Sequence, residues 1–153
     1  MYSQPDTFRP IQGRGVYPQV SKDYERQVYR YVEAELYAHP LRKRDIERLR
    51  ADIIEATPER SVTSSENPGD PTLLRAMRLL TSKRLERMMG NYEAIAKTYE
   101  SLDDMKKRLV DMRYWQRKYT DCGIYENLHI SRRTYFRWRE EILAAMAIEM
   151  GLL

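Results

Sequence analysis

At 153 residues the chain fits one domain, or one domain with a small appendage. Charged residues make up 33% and hydrophobic residues 42%, which excludes both a disordered polymer and a membrane bundle. A net charge of +4 favours polyanions only where the cations cluster, so their positions matter more than their sum.

Residues 1–20, MYSQPDTFRPIQGRGVYPQV, hold three prolines, two glycines and no periodic pattern, as expected of a flexible arm. Ser21 is a helix-capping type. Tyr24, Val28, Tyr31, Val32 and Leu36 then recur at helical steps. This predicts a helix that stops at His39-Pro40, because a residue before proline disfavours helical backbone. Ile46, Leu49 and Ile53 form a second stripe, ending at Thr57-Pro58. The two stripes together predict a helical hairpin. Residues 57–71, TPERSVTSSENPGDP, read as an exposed loop and the best candidate boundary.

Pro71 suits a helix start. A long central helix is expected from about Thr72 to about Glu100, with a phase shift at Thr81-Ser82. Leu85, Met88, Tyr92, Ile95, Tyr99 and Leu102 step by three and four, which fits a short coiled-coil seam or one face of a helical core equally. The run SLDD at 101–104 supplies a cap and an acidic first turn. Leu102, Met105, Leu109, Met112 and Trp115 or Gln116 carry the next stripe, which Arg117, Lys118 and Tyr119 end. Valines and isoleucines stand singly at helical spacing, so the expected fold class is all-α.

The stretch TDCGIYENLHISRRTYFRW, 120–138, conflicts with a single helix. One helix would place Ile130 and Tyr135 about 140° apart. Two helices remove the conflict, one capped by Thr120 and the next by Ser131, with a turn at 129–131. Counted from Asp121, the helix-turn-helix pattern wants apolar residues at positions occupied by Ile124, Leu128, Ile130, Tyr135 and Trp138. Ile142 extends that core. Two small-residue positions depart from the pattern. Tyr125 stands where alanine is usual, and His129 where glycine is usual, although histidine tolerates left-handed backbone better than most.

With that stripe inward, Arg132, Arg133, Phe136 and Arg137 face outward on the first turns of the second helix. That is where a recognition helix meets base edges, and arginine's fork suits guanine. Arg117, Lys118, Thr120, Ser131 and Thr134 are the candidate phosphate contacts. Residues 105–139 hold ten cations against Asp111, Asp121 and Glu126, an excess of +7 in a chain of +4. The alternative is a solvated basic face without a partner.

Catalytic signatures are missing: the sequence has no phosphate-binding Gly-Lys-Ser/Thr loop, no His-Glu-x-x-His and no Gly-x-Ser-x-Gly. No catalytic residue, metal site or cofactor is expected. Cys122 is the single cysteine, which suits a reducing cytoplasm. No apolar run reaches the ~18 residues of a membrane span.

LVDMRYWQRKYTD followed by LHISRRTYFRW, within 102–138, resembles the C-terminal part of RinA-type and ArpU-type phage transcriptional regulators. It is similar, more loosely, to region 4 of sigma-70 factors. RADIIEATP at 50–58, DPTLLRAMRLLTSKRLERM at 70–88 and the terminal AIEMGLL extend the RinA-type likeness. The resemblance implies a sequence-specific transcriptional activator of phage late genes, acting through host RNA polymerase in the bacterial cytoplasm, nucleoid-associated when bound. It makes 131–137 the DNA reader. The expected organisation is an arm at 1–20, a helical oligomerisation region at 21–101 and a sigma-70 region 4-like helix-turn-helix domain at 102–153. Double-stranded DNA is the expected ligand. A homodimer is expected because the two seams leave long apolar stripes to cover. The competing readings are a small terminase subunit and a helical protein-interaction module.

Overall fold

The computed structural model describes residues 21–56 and 71–153, and it is all-α. The expected arm at 1–20 lies outside the described residues, as does the expected 57–71 loop except for Pro71, which opens a helix. The helices are α1 (Lys22–Glu55), α2 (Pro71–Thr81), α3 (Lys83–Ser101), α4 (Asp104–Val110), α5 (Asp121–Asn127) and α6 (Arg132–Glu149). A π-helical turn, Asp111–Gln116, extends α4.

The N-terminal hairpin does not form. α1 is one continuous helix with Pro40 inside it. An interior proline removes one backbone donor and costs roughly 3 kcal/mol in isolation. Here the loss is offset by tertiary contacts. Pro40 leaves the Leu36 carbonyl without its usual donor, and the Trp115 indole Nε1 donates to that oxygen at 3.2 Å. The next carbonyl, Tyr37 O, accepts from Arg117 Nη2 at 3.0 Å. The strand of side chains expected to fold back as a second helix instead continues outward and pairs with α2 and α3.

The long central helix is likewise divided. Ser82 leaves helical geometry and caps α3, its Oγ accepting from Leu85 N at 3.3 Å. The phase shift in the apolar pattern is therefore a break. Leu85 and Ile95 still face inward on α3, so the seam is a core face.

α1 runs antiparallel to α6. Tyr24 at its start donates to Leu152 O at 3.1 Å, and Glu33 farther along meets Arg139. The core is one cluster. Val28, Val32 and Leu36 of α1 and Ile95 of α3 join Leu109, Tyr114, Ile124, Tyr135, Ile142 and Met146. Burying each such side chain stabilises by about 1.5–3 kcal/mol. The expected boundary at 101/102 thus does not interrupt the core. The apolar stripes expected to drive dimerisation are largely covered within the chain. Among the described residues no helix is long and apolar enough to cross a membrane.

Candidate nucleic-acid interface

Thr120 begins the unit by capping α5, its Oγ1 accepting from Gly123 N at 3.2 Å. α5 ends after two turns in a tight reversal. His129 N donates to Glu126 O at 3.1 Å, and Ile130 N to Tyr125 O at 3.0 Å. This crossed pair of bonds closes a helix when the residue after the cap is left-handed. His129 is that residue, at φ 54. Ser131 follows directly and caps α6. Its Oγ accepts from Thr134 N at 3.1 Å and lies 2.9 Å from Thr134 Oγ1. The predicted turn is therefore present, made by histidine in the glycine position.

The stripe packs as the spacing demands. Ile124, Leu128, Tyr135 and Ile142 are buried, and Ile130 and Trp138 are half-buried against the same core. Tyr125 is accommodated at the edge of that core, with its ring 6.0 Å from that of Tyr135 and tilted by 58°.

The opposite side of α6 carries Arg132, Arg133, Phe136 and Arg137, all exposed. Arg133 has no partner among the described residues, and Arg137 only a loose pairing with Glu141 at 3.6 Å. Arg132 lies over the Phe136 ring at 5.5 Å, on the flank nearer α1. Phe136 lines a groove of about 350 Å³ with Arg26 and Arg30 of α1, two cations that sequence reasoning did not associate with the site. The basic face is short. Glu140 and Glu141 follow it, and carboxylates there disfavour phosphate.

The first turn of α6 contains no acidic residue. The positive end of a helix favours anions, and cations there are unfavourable by some 0.3–1 kcal/mol. α1, α3, α4 and α5 each place a carboxylate in that turn. α6 places Arg132 and Arg133 there instead, an arrangement that an external anion would relieve.

Lys118 and Thr120 are exposed, as expected of phosphate contacts. Arg117 is not available in the same way. Its backbone is left-handed at φ 55, and its guanidinium reaches the Tyr37 and Tyr114 carbonyls while lying 4.7 Å from the Tyr37 ring centroid. Its geometry is that of a latch onto α1. Other cations of the basic window are also neutralised by carboxylates outside it. Lys106 meets Glu141 at 3.0 Å, and Arg139 meets Glu33 at 2.6 Å. The local excess of charge is thus smaller than the window implies; among the described residues Arg108, Arg117, Lys118, Arg132 and Arg133 have no carboxylate partner, Arg108 meeting the neutral Asn127 and Arg117 the carbonyls of α1 and the π-helical turn.

A partly buried polar network holds the unit on α1. Glu33 Oε1 accepts from Arg139 Nε and Nη2 and from Tyr114 OH at 3.0 Å. Arg113 pairs with Asp121, which also accepts from Tyr135 OH at 2.9 Å. Burial pushes the Tyr114 and Tyr135 phenols above the usual tyrosine range, so both remain donors. Glu33 lies eighty or more residues from these partners, and nothing in its local pattern signals them.

A family model described as "Protein of unknown function (DUF722)" matches residues 31–147. No curated protein and no solved structure matches the chain.

Proposed function

We propose that this chain, which belongs to the DUF722 family of proteins of unknown function, binds duplex DNA sequence-specifically and activates transcription. The observation that carries DNA reading is the start of α6. It is a capped, exposed helix end bearing Arg132, Arg133 and Arg137, without a carboxylate in its first turn. α5 and the 128–131 turn brace it from behind, as a helix-turn-helix braces its recognition helix. In this reading Arg133 and Arg137 read base edges in the major groove. Arg132 and Phe136 line the flank toward α1. Lys118, Thr120, Ser131 and Thr134 hold backbone phosphate and fix the register.

Activation of phage late genes through host RNA polymerase rests on the likeness of residues 102–138 to RinA-type and ArpU-type regulators. DNA reading stands without it.

Titration of a selected duplex and of random duplex by fluorescence anisotropy tests the reading. Arg133→Ala should weaken the selected site by about 1–3 kcal/mol and leave random DNA nearly unchanged. Lys118→Ala should weaken both alike and flatten the salt dependence. Equal loss on both duplexes for Arg133→Ala would contradict base reading.

A further inference from the structure

Phe136 belongs to two surfaces. It stands among the arginines at the start of α6, and it lines the groove of about 350 Å³ that α6 shares with α1. Across that groove stand Arg26 and Arg30, four residues apart and so on one face of α1. Both are exposed. Arg30 has no partner among the described residues. Arg26 meets only Asp23, at 3.4 Å, with the two side chains 68% and 83% exposed. A pair that open contributes little and gives way to a stronger anion. Glu25, next to Arg26, is engaged by the Tyr29 hydroxyl at 3.0 Å. The groove's third cation, Arg139, is taken by Glu33, so within the lining Arg26 and Arg30 stand against Glu140 alone.

We infer that Arg26 and Arg30 make α1 a second phosphate-binding wall for the duplex whose bases α6 reads, an inference that rests on that reading. A helix with its side chains is about 10–12 Å across and the major groove is about 12 Å wide. With α6 seated there, no room remains for a second helix. α1 packs along the Arg139 and Phe136 flank of α6, where a neighbouring helix axis lies about 8–10 Å away. It therefore overlies the phosphate strand that borders the groove on that flank. The side chains it turns toward the shared groove with α6 include two arginines free to bind. Arg132, held over the Phe136 ring, continues the same positive edge from α6. Contacts of this kind fix register and add affinity without reading sequence.

Anisotropy titrations of the full chain on the selected and on random duplex, repeated over a series of salt concentrations, test it. Arg26→Ala with Arg30→Ala should weaken both duplexes by the same factor. The slope of log K against log salt should fall by about 2, one for each phosphate contact. Arg26→Lys with Arg30→Lys should keep most of the affinity, because a phosphate also accepts a point charge. Glu140→Gln removes the carboxylate of the opposite wall and should tighten both duplexes. Arg84→Ala with Arg87→Ala removes the same charge from exposed positions of α3 that line a different cleft, and should leave the slope unchanged. The inference is overturned if the α1 alanine variant binds as the natural chain does, if its loss falls on the selected duplex alone, or if the α3 variant loses as much. It is overturned too if the lysine variant binds no better than the alanine variant, or if Glu140→Gln fails to tighten binding. Each of those outcomes leaves base reading by Arg133 standing, whereas a natural chain that binds neither duplex overturns both.

Discussion

His129 carries the turn before α6 in a backbone region that suits glycine. Left-handed geometry costs a residue with a Cβ about 1–2 kcal/mol, and glycine returns part of that through its greater freedom when unfolded. His129→Gly should therefore raise the unfolding free energy by about 0.5–1 kcal/mol, read from denaturant melts. A loss of stability would mean that the imidazole makes a contact worth more than the strain. The turn was legible at this scale, since Ser131 and the inward stripe required a break near 129–131. Ser131 and Thr120 both cap as their residue types suggest. Arg117 was not legible, because the Tyr37 carbonyl it reaches lies eighty residues earlier and its position in sequence is that of a solvent-facing cation.

At the scale of elements, Pro40 shows why local rules misjudged α1. Proline does weaken the helix, but the two carbonyls nearest the break are taken by Trp115 and Arg117. Trp115→Phe keeps the ring and removes the donor to Leu36 O. It should destabilise the protein by about 1–2 kcal/mol, the cost of a buried carbonyl left without a partner. An unchanged melt would mean that water reaches Leu36 O. His39 lies at the same place, stacked on Tyr92 at 4.6 Å and Trp115 at 5.6 Å, with its Nδ1 buried and unpartnered. Burial holds its pKa below the ordinary imidazole value of 6.5, Arg42 acts in the same direction, and Glu35 opposes. The unfolded chain thus binds a proton that the folded chain resists. Stability from this group is present above pH 6.5 and is lost as pH falls toward the folded pKa. His39→Phe should flatten the decline of the melting temperature between neutral and mildly acidic pH. A decline as steep as before would assign it to other groups. The division at Ser82 was half legible, since the phase shift in the apolar pattern pointed to it, but a single helix with a twist fits the same letters.

At the scale of the molecule, helices were readable from apolar spacing throughout, whereas their partners were not. Periodicity reports that Val28, Val32 and Leu36 face something, and it cannot say that they face Ile95 and α6 rather than a second chain. The same gap separates the basic window from the basic surface. Glu33 and Glu141 neutralise Arg139 and Lys106 across the fold, and among the described residues Arg132 and Arg133 in the first turn of α6 are left without a carboxylate partner, as are Lys118 and Arg108. The outward apolar side of α2 shows the same gap, since spacing alone does not say whether Leu73, Met77 and Leu80 meet core or solvent. DNA reading is therefore a claim about a small surface held by a large scaffold. The most direct test is selection of bound fragments from random duplex DNA by the natural chain and by Arg133→Ala with Arg137→Ala, at matched salt. The account predicts one recurrent motif for the natural chain, lost in the double variant while salt-sensitive binding of unselected DNA persists. No enrichment by the natural chain, or the same motif from both proteins, would contradict it.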